Sequence, residues 1–243
     1  MISIYKKELH NFFSSLIGYI VMAVFITSIG LFMWVFSDTS VLDYNFATMD
    51  QLFSIGPLVF LFLIPAVTMS SFADERAKGT IELLYTKPLT TNEIILGKYL
   101  ASLTLVIIAL IPTLIYLYSI WELGSPKGNL DMGSVIGSYI GLLFLAGAFV
   151  AIGLFASAFS NNQIIAFIVA AFLCFAVHWS FYYISAMPIF RGSFDLFLQK
   201  LGMNYHYTNI SQGLIESKDI VYFLSVIGLF LFVTKLKIDQ REG

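Results

Sequence analysis

Long stretches without a single charge alternate along the chain with short polar interruptions, and this alternation already predicts the elements. No Asp, Glu, Lys or Arg occurs from Asn11 to Ser37, from Gln51 to Ala73, from Tyr99 to Trp121 or from Met132 to Phe190. One bilayer crossing takes about 20 apolar residues, and a soluble core helix seldom stays uncharged for so long. The last run is far longer than one crossing needs, and Asn161, Asn162 and Gln163 fall where a short turn divides it. A weaker run, Ile220 to Thr234, makes a sixth span if Tyr222 and the stems of Lys235 and Lys237 extend its ends. The expectation is an all-α membrane protein with six transmembrane helices, over 16–36, 52–72, 99–121, 134–158, 164–184 and 220–234.

Between these spans the polar positions carry their own periodicity. In residues 1–15, Ile2, Tyr5, Leu9 and Phe12 recur at helical spacing and continue to Leu16, while Lys6, Lys7, Glu8, His10 and Asn11 fall largely elsewhere. That predicts an amphipathic interfacial helix leading into the membrane. Pro57 and Pro65 predict kinks in span two, and Pro112 lies inside span three. Gly137, Gly141, Gly147 and Gly153 give span four a small-residue face suited to close helix contact, without naming the partner. The segment 185–218 is too apolar to be freely solvated, yet Arg191, Asp195 and Lys200 discourage another crossing; short helices that cap the bundle fit it.

Composition agrees with the membrane as solvent: of 243 residues, 58% are hydrophobic and only 12% charged. The formal net charge of −2, with no large basic patch, excludes a nucleic-acid partner. Cys174 has no companion, and His10, His178 and His206 are too scattered for a metal site. No charged residue lies centrally in a span, which argues against a secondary transporter, and no nucleophile–base set or paired carboxylates suggest an intramembrane enzyme. With the N-terminus inside, nine Lys and Arg fall on the inner side and four on the outer. This bias predicts both termini and the 73–98 connection on the cytoplasmic side.

That connection, within the stretch SFADERAKGTIELLYTKPLTTNEIILGKYL, is the longest motif-like polar region. Gly79 permits a tight turn, Thr80 is a plausible N-cap for IELLY, and Glu82 sits where negative charge favours a helix start. Pro88 ends that short helix, and Thr90 to Glu93 has capping-box spacing. Two short helices joined at a proline, with Leu83, Leu84 and Leu89 free to pack on something, make a knob between spans two and three. A connection of this length also needs turns and apolar anchors for purely structural reasons, and the pattern alone leaves both readings open.

Glu75-Arg76, Gly79-Thr80, Glu82, Leu84, Pro88, Glu93-Ile94 and Gly97-Lys98 resemble the first cytoplasmic loop of type-2 ABC transporter permeases. The amphipathic start, the six spans and the ending through Gly213 and Asp219–Phe223 extend the resemblance over nearly the whole chain. More narrowly, the chain is similar to the permeases associated with gliding motility in Bacteroidetes. The resemblance implies a single transmembrane domain over 1–243, with residues 1–15 as connector helix and 73–98 as coupling loop. It also implies that Gly79 to Tyr85, with Thr80, Glu82, Leu83 and Leu84, form a coupling helix seated in a cytoplasmic ABC ATPase, with Glu75, Glu82 and Arg76 making polar contacts around it and Pro88 following as a further coupling residue. No Walker A pattern occurs, so ATP and Mg would be bound by the partner ATPase and no cofactor by this chain. A second permease chain, identical or different, is implied, in a bacterial inner membrane. The competing reading is a membrane scaffold that recruits a soluble protein without transport.

Overall fold

The computed structural model describes residues 1–44, 46–80, 89–190, 192 and 194–240. Its helices in chain order are α1 (Ile2–Ser14), α2 (Leu16–Trp34), α3 (Val41–Tyr44), α4 (Asp50–Thr68), α5 (Ser70–Ala77), α6 (Thr91–Leu110) and α7 (Thr113–Leu123). There follow α8 (Met132–Phe159), α9 (Gln163–Phe175), a π-helical turn (Ala176–Ser180), α10 (Phe181–Ser185), α11 (Asp195–Gln199), α12 (Met203–Ser211) and α13 (Ser217–Asp239). Among the described residues, five runs are long and apolar enough to cross a bilayer: Asp50–Ala77, Thr91–Leu123, Met132–Phe159, Gln163–Ser185 and Ser217–Asp239. The pair α1–α2, bent by 68°, makes a sixth if taken as one span.

The core gathers around α8, which packs against α4, α5, α6, α9, α12 and α13. Small residues make this possible. A Cβ on Gly137 would stand 2.5 Å from the carbonyl oxygen of Ile210, and one on Gly141 would press on Tyr207 and Ile210 at 3.3 Å. The face expected for close contact therefore receives α12 of the same chain. Ser134 and Ser138 add hydrogen bonds, each donating to the carbonyl oxygen of Ser211 at 2.9 Å.

Several elements differ from the sequence pattern. α4 runs uninterrupted through Pro57 and Pro65, and the break comes at Met69, where α5 begins. The final span is a 23-residue helix, longer than its 15-residue uncharged run, because Asp219 is fully buried and Lys237 lies 5.0 Å over the Phe159 ring. On α1 the buried positions are Ile4 and Phe12, with Tyr5 and Leu9 packed beside them, whereas Ile2 and Leu16 are exposed. Other expectations appear as drawn. Asn162 caps α9 by accepting from the backbone N–H of Ile164 and Ile165, making the turn that divides the longest apolar run. The segment 185–218 holds the 3-10 turn Pro188–Phe190, α11 and α12.

Candidate functional site

At one end of the bundle, α1, α5 and α6 meet around a buried lysine. Lys98, two turns into α6, is 2% exposed. Its Nζ donates to Glu8 Oε1 of α1 at 2.7 Å and to the carbonyl oxygen of Ser71 in α5 at 2.7 Å. Glu75 Oε2 stands 3.1 Å away as an ion-pair partner without forming a hydrogen bond, and the ammonium sits 5.1 Å over the Phe72 ring. Glu75 also reaches outward, its Oε1 standing 3.2 Å from Lys7 Nζ. Two lysines and two glutamates thus cancel within one cluster, as burial of charge requires.

The local sequence explains why α1 can come so close. A Cβ on Gly97 would touch the Ile4 side chain at 3.0 Å, so glycine lets α1 lie on α6. The adjacent Lys98 then finds Glu8, which stands one turn from both Ile4 and Phe12 on the buried side of α1. Start of α6 is fixed by the expected capping box: Thr90 Oγ1 accepts from Glu93 N–H, and Thr90 N–H donates to Glu93 Oε2 at 3.1 Å.

α5 is held from two further sides. Ser157, near the end of α8, donates to the carbonyl oxygen of Met69 at 2.9 Å and accepts from the N–H groups of Phe72 and Ala73 at 3.0 and 3.1 Å. One hydroxyl therefore serves the backbone groups freed by the α4–α5 break. Thr68 packs directly against Gly153 there, leaving no room for a Cβ. From α9, Gln163 Nε2 donates to Asp74 Oδ1 at 2.8 Å, while Asp74 Oδ2 pairs with Lys78 at 2.7 Å.

The exposed end of α5 closes with a defined stop. Gly79 has φ of +67°, its N–H donates to the Arg76 carbonyl, and Thr80 N–H donates to the Glu75 carbonyl at 2.9 Å. These two bonds form a Schellman motif with glycine at the left-handed position. Among the described residues no atom lies within 4 Å of where a Gly79 Cβ would stand, and the positive φ alone costs a side chain there about 1–2 kcal/mol.

Of the residues proposed for coupling, Glu75, Arg76, Gly79 and Thr80 converge on this helix end. Both Glu75 oxygens face lysines of the same chain, and its side chain is 14% exposed. Arg76 is half-buried beside it. Glu82, Leu83, Leu84, Tyr85 and Pro88 lie outside the described residues. The sequence reading overlooked Glu8, Lys98, Ser157 and Gln163 as members of the site. A signal existed for the first two: Glu8 keeps step with Ile4 and Phe12, and Lys98 follows a glycine at the mouth of a long apolar run.

Among the described residues, no group of three His, Cys, Asp or Glu is placed to hold a metal ion. A bundle of helices long and apolar enough to cross a bilayer defines a polytopic membrane protein. The family model for ABC-2 family transporter proteins matches residues 2–234. The chain belongs to this family and is a membrane permease component of the ABC transporter type. No curated protein matches it.

Proposed function

We propose that this permease is the transmembrane half of an ATP-driven transporter and takes its power stroke through α5. The observation that carries this reading is the clamp: α5 is tied to α1 and α6 by Lys98, to α8 by Ser157 and to α9 by Gln163. A push on the connection that begins at Gly79 therefore reaches four helices together. In this reading α1 is the connector helix, residues 79–85 with Pro88 form the coupling element, and a cytoplasmic ABC ATPase binds ATP and Mg and seats that element. The side-chain contacts to the ATPase fall to Arg76, Thr80, Glu82, Leu83, Leu84 and Tyr85, while Glu75 positions α5. Both termini are cytoplasmic in a bacterial inner membrane, and a second permease chain completes the assembly. The resemblance to gliding-associated permeases supports a role in gliding motility or associated secretion.

Stimulated ATP hydrolysis tests this reading. The chain is reconstituted in nanodiscs with a candidate ABC ATPase, and native protein is compared with Gly79→Pro, whose fixed negative φ cannot replace +67°. Loss of stimulation with the complex intact supports coupling through α5. Unchanged stimulation refutes that route, and failure of any ATPase to bind points to a scaffold. For the motility role, deletion of the gene in a gliding host should abolish colony spreading; normal spreading would refute it.

A further inference from the structure

At the opposite end of the bundle lies a cavity of about 590 Å³ between the beginnings of α4 and α8, the π-helical turn and α12. Hydroxyl groups of Ser54, Ser134, Ser138, Tyr207, Thr208 and Ser211 contribute to its wall, and all but that of Ser54 have committed their protons. Ser134 and Ser138 donate to the Ser211 carbonyl, Ser211 to that of Thr208, Thr208 to that of Asn204, and Tyr207 to that of Phe53 at 2.6 Å. Each of these oxygens keeps lone pairs and has no proton left to give. Asp50 and Asp131 stand among the exposed lining residues, and Asp131 spends Oδ1 on capping α8 through Gly133 and Ser134 N–H. Among the described residues no Lys or Arg lines the cavity; Asn204 and Gln212 contribute amides able to serve as donor or acceptor.

In the deeper part sits His178, 1% exposed, with its Nδ1 buried and without a hydrogen-bond partner. A polar atom in this position ordinarily finds a partner, and this one, on a residue that lines the cavity, has none among the described residues. The π-helical turn that carries His178 is a departure from α geometry often found at functional sites. Trp179 and Tyr207 stand against the imidazole, at ring distances of 4.3 and 6.1 Å, and also line the cavity.

Acceptor oxygens, two carboxylates, an aromatic wall and a buried imidazole without a partner suit a ligand rich in N–H donors and positive charge. We propose that the cavity binds a small organic cation, a primary amine or polyamine. The ammonium group donates to the hydroxyl oxygens of the wall, the carboxylates of Asp50 and Asp131 attract it to the mouth, and the Trp179 and Tyr207 rings contact its methylenes and charge. This inference does not rest on the ATPase reading, since binding needs only the permease chain.

Calorimetric titration of the full chain in zwitterionic-lipid nanodiscs, with empty discs as blank, tests it using spermidine and cadaverine as probes. Maltose serves as a neutral polyol and potassium chloride as a simple salt. Saturable amine binding is expected, with maltose silent. The double variant Asp50→Asn, Asp131→Asn should weaken spermidine about tenfold through lost charge attraction. Asparagine caps a helix as well as aspartate does, so its thermal midpoint should stay at the native value. His178→Phe should weaken both amines at equal stability. Absence of saturable amine binding, equal affinity in the double variant, maltose binding of similar strength, or a response to potassium alone would each overturn the proposal.

Discussion

The two ends of the bundle handle polar groups in opposite ways. Around Lys98 the charges close on one another: each carboxylate of Glu8 and Glu75 meets a lysine, and the hydroxyl of Ser157 is shared among three backbone groups. At the far end, a set of hydroxyl oxygens lines a cavity, with the buried His178 Nδ1 left without a partner beside it. A small knot there resembles the other end: His206 Nδ1 lies 2.6 Å from Asp219 Oδ1, its Nε2 lies 2.9 Å from the Lys200 carbonyl, and its ring stacks on Tyr222 at 3.9 Å. Satisfied groups make a joint stiff, because any relative motion strips partners in a medium without water. Unsatisfied groups leave room for an incoming molecule.

Substitutions can break this contrast, beginning with the largest expected effect. Lys98→Met should cost about 3–5 kcal/mol in unfolding from mixed micelles, since the half-buried Glu8 loses its lysine and Glu75 keeps only the exposed Lys7. A loss below about 1 kcal/mol would show that the cluster is solvated and no clamp. Ser157→Ala should cost about 1–3 kcal/mol by orphaning the N–H groups of Phe72 and Ala73, and Ser157→Thr should restore part of it only if Gly153 and Thr68 leave space for the methyl. Asp219 sharpens the comparison. The Lys200 carbonyl can only accept, so His206 Nε2 carries a proton and Nδ1 can meet either face of an amide. Asp219→Asn should therefore stay within about 1 kcal/mol of native, while Asp219→Leu should lose about 1–3 kcal/mol. Equal losses for both would mean that the charge itself holds the pair. Smallest of all, Lys7→Ala should change stability by less than about 0.5 kcal/mol, because that lysine is 47% exposed and screened. A larger effect would move Lys7 from the rim of the cluster into its core.

Much of the fold was legible because a bilayer imposes one simple rule on sequence. Charge-free runs located the membrane helices, Asn162 marked the turn between two of them, and Thr90 and Glu93 announced a helix start that the structure bears out. Gly79 was recognised as a turn, and its φ of +67° agrees. The same rule hid what mattered most at the site. Lys98 and Asp219 read as span boundaries because they are charged, yet both are buried and neutralised or bonded by residues far away in sequence. Glu8 was counted among the polar residues of α1 although it faces Lys98. α4 stays helical through Pro57 and Pro65, while the break at Met69 has no proline and is served instead by Ser157. Pairing across the fold is invisible to a pattern read along one helix.

The burial of α8 has a mechanical consequence. At 28 residues it is about 42 Å long at 1.5 Å per residue, well beyond a hydrocarbon thickness of about 30 Å. Wrapped on most of its circumference by other helices, it answers to protein neighbours and hardly to lipid. By contrast α9 and α13 present most of their surface outward. A thicker or thinner membrane will thus tilt the outer helices against a central axis whose own inclination stays fixed, and hydrophobic mismatch becomes a torque between shell and axle.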